Sequence, residues 1–188
     1  FNDTATTEIY TSYTLFPHDA LPIYSVAFSR ACNTLATGAS TDTHVTVQLW
    51  DTIAHRQISP PLSSSNIGPL SPVAVGPSCK TLAVGGGSFT GPGGAVQLWD
   101  GTTHRQIGIL SSSTGPIESM AFSPDGTLAV GTVSVASTSG ITLTSGGVVL
   151  WDVAAHRQIG ILMSGTGAID SLAFSPDGKT LAVGTVSV

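Results

Sequence analysis

Apolar residues along this chain fall into short runs, each cut by Gly, Pro, Ser or Asp. No stretch keeps apolar residues at i, i+3, i+4 and i+7 for more than one turn, so the pattern predicts short strands and no long helix. The runs also repeat. VQLWD stands at 47–51 and 96–100, and VVLWD at 148–152. Five positions after each Trp the tetrapeptide HRQI opens, at His55, His104 and His156. Upstream, SVAFS (25–29), SPVAVG (71–76), SMAFSPDG (119–126) and SLAFSPDG (171–178) lead into LATG (35–38) or LAVG (82–85, 128–131 and 181–184). Each unit therefore predicts four strands: a (the VAFS run), b (LAVG), c (VQLWD) and d (HRQIGIL). SPDG between a and b is a turn, because Pro presets φ, Asp bonds the backbone ahead and Gly accepts positive φ. Apolar residues occupy both parities of a and b, as in strands covered on both faces by neighbouring sheets.

VAFSPDGxxLAVG followed by VxLWD resembles the WD-repeat β-propeller family, over about residues 24–188. The resemblance implies an all-β fold whose four-stranded sheets pack radially as blades around a channel. The HRQIG run is similar to bacterial members. In this family Trp50, Asp51, Trp99, Asp100, Trp151 and Asp152 take structural roles. The chain departs from the pattern in three ways. The b-to-c gap lengthens from 9 positions (Gly38 to Val47) to 11 (Gly85 to Val96) and 17 (Gly131 to Val148). The family's Gly-His slots read SSSTGP (111–116) and MSGTGA (163–168). Val84 and Val130 stand where a strand-b hydroxyl would join the family's buried polar network, though Thr37 keeps one. These blades are expected to depend on apolar packing. TVSVAS (132–137) and ITLTS (141–145) around TSG read as strands b and c extended into a hairpin arm.

The expected blades are 24–62, 71–110 and 117–162, with half of a fourth at 169–188. Residues 1–23 carry no Trp-Asp and no HRQI. They read as a non-repeat segment, foreign to the array or disordered; as the source of the missing strands they are the weaker reading. The chain is expected to be part of a larger protein.

Composition narrows the function. Six Lys and Arg residues lie scattered and the net charge is −5, which speaks against a phosphate-binding surface for nucleic acid. No run of ~20 apolar residues predicts a membrane span, and the expected location is cytoplasmic. Cys32 and Cys79 occupy equivalent turns of successive repeats. Such positions are expected to lie beyond the ~7 Å Cα separation that a disulfide tolerates, which predicts free thiols. The three in-register histidines lie one per blade on outer strands. Sheets pack ~10 Å apart at their closest, so they cannot converge on one metal. Neither a GxSxG elbow nor a phosphate-binding GxxxxGK[ST] occurs. No catalytic residue, metal site or cofactor is expected.

Tyr24, Ser71, Glu118 and Asp170 share one slot before the middle of strand a, at the channel rim where family members often bind partners. They are the candidate partner-binding residues. In an antiparallel blade the b–c and d–a connections share a face, so the extended segments 39–46, 86–95 and 132–147 predict the recognition face. The leading expectation is a non-catalytic protein- or peptide-binding scaffold module. The alternatives are a small-ligand or glycan-acting propeller using Glu118 and Asp170, and self-association through open blade edges.

Overall fold

The computed structural model describes residues 22–29, 31–40, 44–64, 72–88, 93–112, 115–138 and 141–186. They form fifteen strands in four sheets, with no helix among the described residues. Sheet 1 holds β1 (Ile23–Ser29), β2 (Thr34–Ser40), β3 (Val45–Asp51) and a fourth strand in two pieces, β4 (Arg56–Gln57) and β5 (Leu62–Ser64). Pro60 and Pro61 lie between the pieces, and Pro has no N–H to give a ladder. Both pieces pair with β3, one at Trp50 and Asp51, the other at Val45–Val47. Sheet 2 is β6 (Val73–Val75), β7 (Thr81–Ser88), β8 (Gly93–Asp100) and β9 (Gln106–Ser112). Sheet 3 is β10 (Ile117–Phe122), β11 (Thr127–Thr138), β12 (Ile141–Asp152) and β13 (Arg157–Thr166). Its central hairpin stays in register from Thr127↔Asp152 to Thr138↔Ile141, so the expected b–c arm is present. Sheet 4 has two strands, β14 (Ala168–Phe174) and β15 (Leu181–Val186). The three full sheets follow the order a-b-c-d, as the repeat predicted. The expected segment 1–23 lies outside the described residues, apart from Ile23 and its neighbour Pro22.

The sheets stack in chain order, and each junction has its own core. Between sheets 1 and 2, Ala36, Val47 and Leu49 meet Val73, Leu82 and Val84, and Trp99 packs against them. Between sheets 2 and 3, Ala74, Ala83 and Leu98 meet Ile117, Met120, Leu128 and Trp151. Between sheets 3 and 4, Ala129 and Val148 meet Ile169 and Leu172. Each interface is asymmetric, since strands a and b offer Ala to the next sheet and large residues to the previous one. A Gly completes the small face. A Cβ on Gly85 would lie 2.9 Å from Ile117 Cγ2, and one on Gly131 would lie 2.5 Å from Ile169 Cγ2. The Gly of LAVG therefore leaves room for the Ile that opens the next blade. The Trp residues sit on the large face: Trp99 packs back onto sheet 1 and Trp151 onto sheet 2.

The free-thiol expectation for Cys32 and Cys79 is overturned. The two are joined by a disulfide with Cα atoms 6.3 Å apart, across a sequence separation of 47. Their positions are equivalent in sequence but not in conformation. Cys79 takes the left-handed slot (φ 58°) that Gly126 and Gly178 fill in the later turns, whereas in blade 1 that slot moves one residue on, to Asn33 (φ 50°). The turns are therefore not superimposable, and the translation that would keep equal positions apart fails. Ser29, buried at the end of β1, has its hydroxyl 3.0 Å from Cys79 Sγ and 3.2 Å from Cys32 Sγ. With both sulfurs in the disulfide, Ser29 is the donor.

Candidate functional site

The turns on the SPDG side are fastened by carboxylates. Asp51 Oδ1 accepts from the N–H groups of Ile53 and Ala54, both at 2.9 Å. Asp100 accepts from Thr102 (2.9 Å) and Thr103 (2.6 Å), and Asp152 from Ala155 (2.9 Å). These bonds hold the Asp51 and Asp100 carboxyls below the usual range; the Ala54 and Thr103 amides act most strongly. His55, His104 and His156 end these turns in the left-handed conformation, at φ 51°, 56° and 50°. The recurring His is thus a turn residue, and the ring of His156 reaches across to β9 of sheet 2, where a Cβ on Gly108 would lie 2.6 Å from its Cε1. Among the described residues no cluster of three His, Cys, Asp or Glu could hold a metal ion, and no helix is long and apolar enough to cross a membrane.

At the opposite end of strand a lies a feature that the linear pattern concealed. The β1–β2 ladder pairs Ile23 with Ala39 and Ser25 with Gly38, so Tyr24 is an extra residue. The same irregularity leaves Glu118 extra between Ile117↔Thr132 and Ser119↔Gly131, and Asp170 extra between Ile169↔Thr185 and Ser171↔Gly184. Three blades therefore carry one β-bulge at one position, and bulges re-aim side chains. All three residues line one cavity of about 360 Å³, together with Pro72, Ser119 and Met120. The structure thus brings together Tyr24, Glu118 and Asp170 of the four expected residues. Ser71 lies outside the described residues.

The cavity's chemistry is acidic with an aromatic rim. Burial raises the Glu118 carboxyl above its ordinary value, and the nearby Asp170 charge raises it further. Tyr24 is 63% exposed. Two hydroxyls tie the inner strands across the blades: Ser25 Oγ accepts from Val73 N–H at 3.1 Å, and Ser119 Oγ accepts from Leu172 N–H at 3.0 Å. These serines directly follow the bulge residues, so the hydrogen bonds brace the positions from which Tyr24 and Glu118 project. A second, larger cleft of about 940 Å³ opens at the SPDG end between sheets 2 and 3, where Pro77, Asp125, His156 and Arg157 meet. Among the described residues it holds an ion pair, Arg157 to Asp152 at 3.7 Å, whose Arg side chain is 66% exposed, so the pair contributes little.

The family model described as "WD domain, G-beta repeat" matches residues 10–51, 104–152 and 157–187. No curated protein matches the chain by sequence. Among solved structures, "Kuenenia stuttgartiensis Hydrazine Synthase" superposes with a TM-score of 0.67 at 19% identity, over 86% of this chain and 43% of that one. The chain spans less than half of that neighbour's length, and at this identity the likeness concerns the fold. The segments matched by the family model cover more than half of the 188 residues, and the chain belongs to the WD domain, G-beta repeat family of β-propellers.

Proposed function

We propose that this chain is a non-catalytic interaction module that takes a protein or peptide segment at the mouth of the bulge-lined cavity. The observation that carries the reading is the threefold bulge. It projects one residue per blade into a shared space, and those residues differ (Tyr24, Glu118, Asp170) while their surroundings repeat. Chemistry that varies on a constant scaffold is where recognition is expected. Two carboxylates beside an exposed tyrosine favour a segment that presents Lys or Arg next to an apolar side chain. The extended b–c hairpin of sheet 3 rises from the same end and adds contact surface. The Cys32–Cys79 disulfide favours an oxidising compartment over the cytoplasm.

Selecting a displayed random-peptide library on the immobilised chain tests the reading. Recovered peptides are expected to be basic and to lose binding to the Glu118→Gln/Asp170→Asn variant, but not to Asp125→Asn on the opposite face. Equal binding to both variants would sink the proposal. A second reading, a hydrolase acting on a small ligand or glycan, draws on the raised Glu118 carboxyl beside the second acid, Asp170. A carboxyl raised by burial is what a general acid requires, and glycoside hydrolysis places a second acidic side chain within reach of it. Turnover of a chromogenic glycoside panel that disappears in Glu118→Gln would favour it over the first reading.

A further inference from the structure

The a–b turns of blades 1 and 2 depart from the repeat at the same two places. In blade 4, Asp177 Oδ1 accepts from Ser175 Oγ at 2.6 Å and from Lys179 N–H at 3.1 Å. Asp125 holds the turn of blade 3 in the same way, through Ser123 Oγ and Thr127 N–H. In blades 1 and 2 this Asp slot reads Ala31 and Ser78, and the Gly slot that follows it reads Cys32 and Cys79. The two turns that carry the disulfide have thus lost the carboxylate that the repeat would set beside it. Both cysteines are half-buried, and they line a groove of about 500 Å³ between sheets 1 and 2. Leu49, Ile58 and Leu82 give the groove apolar walls, Lys80 and His104 also line it, and among the described residues no Asp or Glu does. The equivalent groove between sheets 2 and 3, where Ile107 and His156 stand for Ile58 and His104, is lined by Asp125 and Asp152. Asp100, the counterpart of Asp152, spends its carboxylate on the amides of Thr102 and Thr103. Partly exposed sulfur with cationic and without anionic neighbours is the setting in which thiol chemistry becomes selective.

We propose that the Cys32–Cys79 disulfide is a thiol-exchange site that takes small anionic thiols, those with a carboxylate near the sulfur. The complementarity is local, since the chain as a whole carries −5. The incoming thiolate attacks Cys32 Sγ, and its lone pair forms the new S–S bond. The Cys32–Cys79 bond breaks, and its electron pair leaves on Cys79 Sγ as a thiolate. One thiolate is consumed and one released, so the step needs no further oxidant or reductant. Cys79 is the sulfur that leaves because the Ser29 hydroxyl, 3.0 Å away, donates to it and the cation Lys80 is its neighbour in the chain. A stabilised leaving thiolate speeds exchange. The carboxylate of the incoming thiol lies towards Lys80. The product is a mixed disulfide on Cys32 that unties the turns of blades 1 and 2. The two sheets remain joined, because neither cysteine belongs to the apolar core between them. Exchange therefore acts on the turns and the groove, and leaves the blades stacked.

Exchange kinetics on the oxidised full chain test this, with 3-mercaptopropionate as the anionic probe, 2-mercaptoethanol as the neutral one and cysteamine as the cationic one. Each rate is divided by the same thiol's rate on an uncharged small disulfide, which removes differences in thiol acidity and nucleophilicity. At low salt the anionic probe is expected to lead the neutral one by about two- to fivefold, the scale of an exposed ion pair, with the cationic probe slowest. The order should flatten in about 1 M salt, where the screening length falls to ~3 Å. Lys80→Glu and Ser78→Asp change exposed side chains, and each is expected to abolish or reverse the order while the chain stays folded. Alkylating the freed thiol at once and locating it by peptide mass should mark Cys79, and the probe's mass should sit on Cys32. Equal normalised rates for the three probes overturn the proposal. So does an order that survives both variants, or a probe found on Cys79 with Cys32 free.

Discussion

Opening the Cys32–Cys79 disulfide is the perturbation whose size the structure allows to be worked out. The bond closes a loop over a separation of 47 residues. By the chain-entropy account, a loop of that length restricts the unfolded ensemble by about 4 kcal/mol at 25 °C. For a chain of this size each kcal/mol shifts the melting temperature by about 2–4 °C, so reduction is expected to lower it by roughly 8–16 °C. Thermal unfolding followed by circular dichroism, with and without a thiol reductant, reads the shift directly. The Cys32→Ser/Cys79→Ser variant should melt near the reduced protein and ignore the reductant. Adding Cys79→Gly to a Cys32→Ser background should recover about 1 kcal/mol, because the left-handed slot then holds a residue without a Cβ. Two titratable thiols in the unfolded, unreduced protein, or an unchanged melting temperature under reductant, would refute the reasoning.

The remaining predictions concern cores and charge. Gly131→Ala forces a Cβ to within 2.5 Å of Ile169 and should cost about 1–3 kcal/mol in urea unfolding, while Gly184→Ala, which meets nothing closer than 3.4 Å, should change little. Trp151→Ala should cost about 3–5 kcal/mol, since that ring is buried between sheets 2 and 3; Trp50→Ala, outside all three cores, should cost clearly less in the same assay. Glu118 has a raised carboxyl, so the folded state holds its proton more tightly than the unfolded one. Its contribution to stability is present at low pH and is lost as pH rises through the folded value. Glu118→Gln should therefore melt higher than the wild type at pH 7, and the two curves should converge below about pH 4.

The blade pattern was legible in the sequence because each strand announces itself twice, by its apolar run and by recurrence. LAVG three times with LATG once, and Trp-Asp three times, leave little freedom in the order a-b-c-d. The third hairpin was legible too, since alternation continues through 132–137 and 141–145. The slot shared by Tyr24, Glu118 and Asp170 was found by alignment of the repeats, but its cause was not. A bulge is a mismatch between two strands, and no single strand's pattern of residues records it. The disulfide was misjudged for a related reason. The expectation treated equivalent positions as equivalent in space, whereas one residue's shift of the left-handed slot, from Cys79 in one turn to Asn33 in the other, breaks that equivalence. Val84 and Val130, which stand where the family's hydroxyl would, are buried in apolar cores, in keeping with the expected dependence on apolar packing.

The unequal faces of each sheet also bear on how arrays of this kind can change in size. A unit with large residues on one side and a Gly–Ala socket on the other has a direction, so it stacks in only one sense. An in-frame copy of any whole unit would arrive with both sides already matched to its new neighbours. Removing a whole unit would likewise bring together a knob and a socket that fit. Blade number in such a chain is therefore free to vary in whole steps at little cost to packing, until ring closure decides which totals are stable. A change of a fraction of a unit has no such protection, because it leaves a sheet short of strands and part of its neighbour's face without a counterpart.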